Sequence, residues 1–173
     1  MIDNLPNDML NYILNFLDIY SQISFVNTCK NFKTKIKIKN LYVPMRFSYK
    51  ITKEILKKYP YIEKLNLYCN RMINNLNNYK FIRILNISNC SVSFDGIKNL
   101  TNIKELNITN NINYIDLTVF KKLEILTIDG LTNISVHDLN TIQTLKTIYA
   151  RNSNVESVLV NVVDKRIKLI LNY

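Results

Sequence analysis

His137 is the single histidine of the 173-residue chain, and Asp129 and Asp138 flank it in sequence. These are the first residues to test for chemistry. General acid–base or nucleophilic catalysis needs a base within reach of a nucleophile and a group that orients it. No cysteine or serine near His137 stands in a recognisable nucleophile context, and neither H-E-x-x-H nor C-x-x-C occurs. Asp129 and Asp138 are expected in solvated loops. Gly96 and Gly130 are the only glycines, too few for a phosphate cradle. Cys29, Cys69 and Cys90 are odd in number and widely spaced, which predicts buried, reduced thiols without disulfide or metal. No enzymatic activity, cofactor or metal is expected. The chemistry left is recognition by amides, phenols and cations.

The amides number 27 asparagines, and some stand at fixed places. Asparagine, isoleucine and lysine are all coded by A/T-rich triplets, which fits the AT-rich genome of a protist or a large DNA virus. Five N-x-S/T sequons, at Asn86, Asn89, Asn99, Asn107 and Asn133, are read as accidents of that composition. Two asparagines, Asn70 and Asn111, close copies of a recurring frame, L-x-x-L-x-L-x-x-N. Leu100, Ile103, Leu106 and Ile108 show it with Asn111; Ile62, Leu65 and Leu67 with Asn70; Ile82, Leu85 and Ile87 with Cys90. Leu123, Leu126 and Ile128 close on Leu131, Leu145, Ile148 and Ala150 close on Ser153, and Ile38, Leu41 and Val43 are a weaker copy. The middle strand residue serves as marker. The markers 41, 65, 85, 106, 126 and 148 are separated by 24, 20, 21, 20 and 22 residues.

That period and spelling resemble the leucine-rich-repeat family. Side chains alternate across a strand, so L-x-L places two leucines on one face, and stacking of parallel strands buries it. The resemblance implies that the closing Asn70, Cys90 and Asn111 bond backbone groups of the turn. Residues after each marker (Tyr42, Asn66, Asn86, Asn107, Thr127, Tyr149) are expected to point out of a concave sheet. A flanking row is Pro44, Tyr68, Ser88, Thr109, Asp129 and Arg151, and Lys64, Ile84, Glu105 and Ile125 line the other side. The expected target-binding residues are Tyr42, Asn66, Tyr68, Asn86, Asn107, Tyr149 and Arg151, since tyrosine and arginine are enriched at interfaces.

Residues 1–35 do not carry the repeat. Pro6 and Asp8 mark a helix start. Met9, Leu10, Ile13, Leu14, Phe16 and Leu17 then cover close to half a helical wheel, wider than the roughly 100° stripe one core needs. The surplus suggests two buried surfaces, one of them a partner's. The order Leu5-Pro6, Asp8, Leu10, Ile13-Leu14, Phe16-Leu17-Asp18, then Ile23, Phe25-Val26, Cys29 and Phe32 resembles an F-box, with Phe32 where that family usually has tryptophan. The resemblance implies docking onto the SCF adaptor, the S-phase kinase-associated protein, and through it onto a cullin ubiquitin ligase. By matching positions Leu5, Pro6, Met9, Leu10, Ile13 and Leu17 would meet the adaptor, while Ile23, Val26 and Phe32 pack the domain itself.

The expected architecture is α/β: a helical F-box-like segment at 1–35, then a leucine-rich-repeat solenoid with a curved parallel sheet at 36–173, capped by one or two strands around Val158–Val162 and Ile167–Leu171. Ile51–Tyr59 is predicted as a helix stopped by Pro60, and Ile73–Leu76 and Ile115–Phe120 each as a turn or a short 3₁₀ segment. Residues 30–58 carry ten cations against Glu54 alone, a net +9 of the chain's +10. Alternation of Ile36 and Ile38 with Lys35, Lys37 and Lys39 predicts a strand with a solvated lysine face. An acidic protein partner or solubility explains the charge better than nucleic acid. The first eight residues show no signal peptide, and no apolar run spans a membrane, so a cytoplasmic protein is expected, in the host cytoplasm if viral. The function implied is a substrate-recognition subunit of an SCF-type E3 ligase. The alternative is a leucine-rich-repeat interaction module whose helices are only a cap, or a decoy that occupies a ligase.

Overall fold

A computed structural model describes residues 5–28, 32, 36–111, 113–129, 134–151 and 163–171, and for Asn15, Tyr20, Val136 and Arg151 the backbone alone. Among the described residues, two helices, α1 (Asn7–Asn15) and α2 (Ile19–Asn27), precede a sheet of seven strands. The strands are β1 (Asn40–Leu41), β2 (Lys64–Asn66), β3 (Ile84–Asn86), β4 (Glu105–Asn107), β5 (Ile125–Asp129), β6 (Thr147–Arg151) and β7 (Lys168–Leu171). All neighbours are parallel and in chain order.

The register follows the leucines. Leu41, Leu65, Leu85, Leu106, Leu126 and Ile148 stand opposite one another across successive strands, and each is buried. So are the leading residues Ile62, Ile82, Ile103, Leu123 and Leu145 and the trailing Leu67, Ile87, Ile108, Ile128 and Ala150. One apolar cluster runs from Leu10 and Leu14 of α1 through every repeat to Ile167. A strand of three residues could not hold itself; the stack does, because each face is covered by the next repeat.

Between strands the chain uses several devices. The helix Lys53–Lys58 is capped by Thr52, whose Oγ1 accepts from Ile55 N at 3.3 Å, so it starts two residues later than predicted. Glu54 lies in its first turn and Lys57 and Lys58 in its last, each favourable to the helix dipole. Short helices at Met45–Ser48 and Val136–Thr141, the second capped by Ser135, lie in segments the pattern had left open. A 3₁₀ turn forms at Leu117–Val119, inside the predicted stretch, and another at Phe94–Gly96. Ile73–Leu76 forms neither a turn nor a 3₁₀ segment. Its backbone is spent elsewhere: Ile73 N donates to Asn70 Oδ1, and Leu76 N donates across to Gly96 O at 2.7 Å. Ile36 and Ile38 are buried and Lys37 and Lys39 exposed as the alternation required, but only Asn40–Leu41 pairs as strand.

A strand forms at Lys168–Leu171 and covers the last repeat as expected, and it does so as a seventh rung in the leucine register, with Leu169 opposite Ile148. The frame is hidden because Arg166 stands where other repeats have their leading apolar residue. Its guanidinium donates to the carbonyls of Asn140 (2.7 Å), Gln143 (3.1 Å) and Ile142 (3.2 Å), replacing apolar packing with polar bonds to the preceding turn. The segment Val158–Val162 lies outside the described residues, as do Cys29, Leu131 and Ser153. No described helix is long and apolar enough to cross a membrane.

Candidate interaction surfaces

The α1–α2 corner is built by two polar residues. Asp18 caps α2, accepting Ser21 N at 3.0 Å and Ser21 Oγ at 2.7 Å. Buried Gln22 sends its amide back to the carbonyls of Leu14 and Leu17, both at 2.9 Å, satisfying acceptors that the end of α1 leaves open. This sets the rotation of α1. Leu10 and Leu14 turn into the core; Phe32 is buried and stacks on Phe25 at 5.0 Å.

The opposite side of α1 is apolar and open. Met9, Tyr12 and Phe16 are 53%, 65% and 72% exposed, and the Tyr12 and Phe16 rings meet edge-on at 4.9 Å. Pro6 is exposed, and Leu5, Ile13 and Leu17 are half-buried. Of the six residues expected to meet an adaptor, Leu10 is corrected: it is wholly buried within the chain and has no surface to offer. Tyr12 was missed, although its i, i+4 spacing from Phe16 and i, i+3 spacing from Met9 marks one helix face.

The sheet's open face departs from expectation at its centre. Asn66 and Asn86 are only 1% exposed, because each amide folds onto its own backbone. Asn66 Oδ1 accepts Tyr68 N at 3.0 Å and its Nδ2 donates to Val43 O at 2.8 Å. Asn86 Oδ1 accepts Ser88 N at 2.9 Å and Ser88 Oγ at 2.5 Å. Asn107 repeats the motif with Thr109, at 3.0 and 2.7 Å, and is half-buried. A short amide side chain prefers such a bond two residues on. Asn66 and Asn86 are therefore turn-builders and not target contacts. Tyr42 is exposed, Tyr68 and Tyr149 are half-buried, and Arg151 lies opposite Asp129 in the ladder. A shallow depression of about 100 Å³ is lined by Tyr42, Ile84, Glu105, Asn107, Ile125 and Thr127, so isoleucines at the position before the marker carry surface that amides were expected to carry.

The closing residues behave as the family resemblance implied. Asn70, fully buried, donates to Ser48 O (2.9 Å) and Ile51 O (2.8 Å) and accepts from Met72 N (2.9 Å) and Ile73 N (3.1 Å). Asn111 donates to Val92 O at 3.1 Å and accepts Asn113 N at 3.1 Å. Cys90 donates its thiol to Leu67 O at 2.6 Å; burial pushes that thiol up to about 11, so it stays protonated. The price is local: Leu67 O is the counterpart of the Val43 carbonyl that serves Asn66, and Asn86 Nδ2 is left without a partner. Cys69, expected buried, is exposed. Asp129, expected in a loop, is buried at the end of β5; Asp138 lies in the helix Val136–Thr141 and accepts from the Tyr114 hydroxyl at 3.0 Å.

Residues 2–44 match the F-box domain family. No curated protein matches the sequence. Among solved structures, the chain resembles internalin C2 of Listeria monocytogenes, with a TM-score of 0.51 and 20% identity over 70% of this chain. The chain spans 56% of that internalin's length, and at this identity the likeness concerns the fold. The F-box match runs past α2 into β1, where Ile36, Ile38 and Leu41 join the same core as Leu10 and Leu14. The chain thus matches an F-box domain at residues 2–44 and continues as a solenoid of leucine-rich-repeat fold.

Proposed function

We propose that the chain is a substrate-recognition subunit of an SCF-type E3 ubiquitin ligase, without catalytic activity of its own. The F-box docks the adaptor, the adaptor links to a cullin, and the open face of the repeats holds a protein target in the cytoplasm, the host's if the chain is viral. The observation that carries this reading is the Met9–Tyr12–Phe16 stripe, apolar and exposed on the first helix of an F-box match. Pro6 and Ile13 border it. On the target side, Tyr42, Tyr149 and the Ile84–Glu105–Ile125 row are the contacts the geometry favours.

Burying a Phe side chain is worth roughly 1.5–3 kcal/mol, and most of Phe16 is available for it. The test is surface plasmon resonance of the purified full chain over immobilised adaptor bound to the cullin N-terminal region. Wild type should bind, and Phe16→Ala should weaken capture about tenfold or more. Absence of wild-type capture would leave a repeat module with a helical cap and no ligase role; wild-type capture that Phe16→Ala leaves unaltered would move the docking surface off this stripe.

A further inference from the structure

A second surface lies on the rim where the chain enters the strands. The residues four before each marker are Lys37, Tyr61, Phe81, Asn102, Lys122 and Thr144. Lys37 Nζ sits 4.0 Å above the Tyr61 ring, and the Tyr61 and Phe81 rings lean together at 5.4 Å. Tyr61 is 40% exposed and Phe81 51%. Two residues closer to the marker runs a ladder of charge. Lys39 pairs with Glu63 at 2.7 Å, and Glu124 bridges Lys104 at 3.0 Å and Lys146 at 2.6 Å. Arg83 stands between these pairs and meets no carboxylate among the described residues. Beside Tyr61 a groove of about 310 Å³ has an apolar lining from Ile36, Ile38 and Pro60 and a cationic one from Lys37 and Lys58. Lys58, like Arg83, has no carboxylate partner among the described residues.

We propose that this rim is a docking surface for an acidic peptide segment that carries an aromatic or aliphatic side chain. The apolar side chain lies in the groove against Tyr61, with Phe81 extending the apolar surface beyond it, and its flanking carboxylates pair with Lys37, Lys58 and Arg83. Charge complementarity selects the occupant: this rim adjoins the stretch that carries +9 of the chain's +10. Single-stranded nucleic acid fits less well. Bases need open aromatic faces, whereas Tyr61 holds an ammonium on its ring and Phe81 at its side. Glu63 and Glu124 also interrupt the rim with negative charge that a continuous phosphate backbone would have to pass.

The experiment is a magnetic-resonance titration of the isotope-labelled full chain. The probes are a capped heptapeptide of Glu and Asp around one central Phe, the same peptide with Gly for Phe, and a thymidine dodecanucleotide. The expected result is saturable shifts at the amides of Tyr61, Phe81 and Arg83 with the Phe peptide, weakening as salt rises. Affinity should fall about fivefold for the Gly peptide and for Phe81→Ala, and by a similar factor, about fivefold, for Lys58→Gln with Arg83→Gln. Both sites are exposed, and thermal unfolding checks that the variants remain folded; Met72→Ala, at an exposed position past the end of β2, should bind as wild type. No saturation at millimolar peptide, equal binding by the Phe81→Ala and charge variants, or tighter binding of the oligonucleotide would each overturn the proposal.

Discussion

The closing position of the frame can be tested by deleting its amide. Asn70 makes four hydrogen bonds, two as donor to Ser48 O and Ile51 O and two as acceptor from Met72 N and Ile73 N. Asn70→Ala removes all four bonds at a fully buried side chain and strands Ile51 O and Ile73 N, while Ser48 O keeps its bond from Ile51 N at 3.1 Å. A hydrogen bond is worth about 1 kcal/mol net, and a stranded buried group costs somewhat more. Water entering the space left by the amide recovers part of this, so the expected loss is about 3–5 kcal/mol. Asn111→Ala removes the bonds to Val92 O and Asn113 N and should cost about 2 kcal/mol. Cys90→Ala removes one thiol bond and frees Leu67 O for the orphaned amide of Asn86, so it should cost least. Urea unfolding of the full chain, followed by circular dichroism, gives the three values. The Asn70 variant should also show a lower m-value, because in a solenoid the damaged N-terminal repeats can open while later ones persist. Asn70→Asp sharpens the test. It keeps both acceptors but faces two carbonyls with a carboxylate, which raises its folded pKa above the unfolded one. Its deficit should therefore be smallest below the unfolded pKa and grow as pH rises. An Asn70→Ala cost below about 1 kcal/mol, or no larger than that of Cys90→Ala, would refute the claim that the closing amide holds the turn.

Gly96→Ala would place a Cβ 2.1 Å from the Asn74 carbonyl oxygen, and since backbone must move, a loss of about 1–3 kcal/mol is expected in the same urea assay. Cys69, Asn89 and Asn110 occupy one frame position with φ near 57, 55 and 55°, the left-handed region that asparagine tolerates better than cysteine, so Cys69→Asn should stabilise by about 0.5–1 kcal/mol. Glu124 is held down to about 2, from an ordinary 4.5, by its bonds to Lys146 and Lys104. Its contribution is present above the unfolded value and lost as pH falls toward 2. The difference in melting temperature between wild type and Glu124→Gln should therefore be seen at pH 7, shrink in salt, and vanish across that acid window.

The strands were legible because a buried rung tolerates few residue types. Leu41 through Ile148 must fill the same layer in every repeat, so their period survives codon bias. The seventh rung escaped because Arg166 solves the leading position by bonding three carbonyls, a solution with no hydrophobic signature. The open face was legible only at its ends. Alternation assigns Asn66 and Asn86 to that face correctly, yet direction is not exposure. An amide one bond from Cβ reaches the N–H two residues on, and burial follows from that bond. Isoleucine cannot do this, which is why Ile84 and Ile125 remain as surface where asparagine does not.

The same reasoning explains α1. Its apolar arc is wider than one core covers, but the wheel could not say which half faced inward. That choice belongs to Gln22, whose amide reaches Leu14 O and Leu17 O and fixes the helix with Leu10 and Leu14 inward. Residues in phase with those two were then committed to the fold, and Met9, Tyr12 and Phe16 were left outside. An apolar side chain that the chain's own core cannot cover still loses about 25 cal/mol for every Å² left in water. Two aromatic rings and a thioether held together on one helix face therefore form a standing driving force for association. Their place at the start of the F-box match, ahead of a sheet whose open face lies elsewhere, keeps this association surface apart from the open face of the repeats.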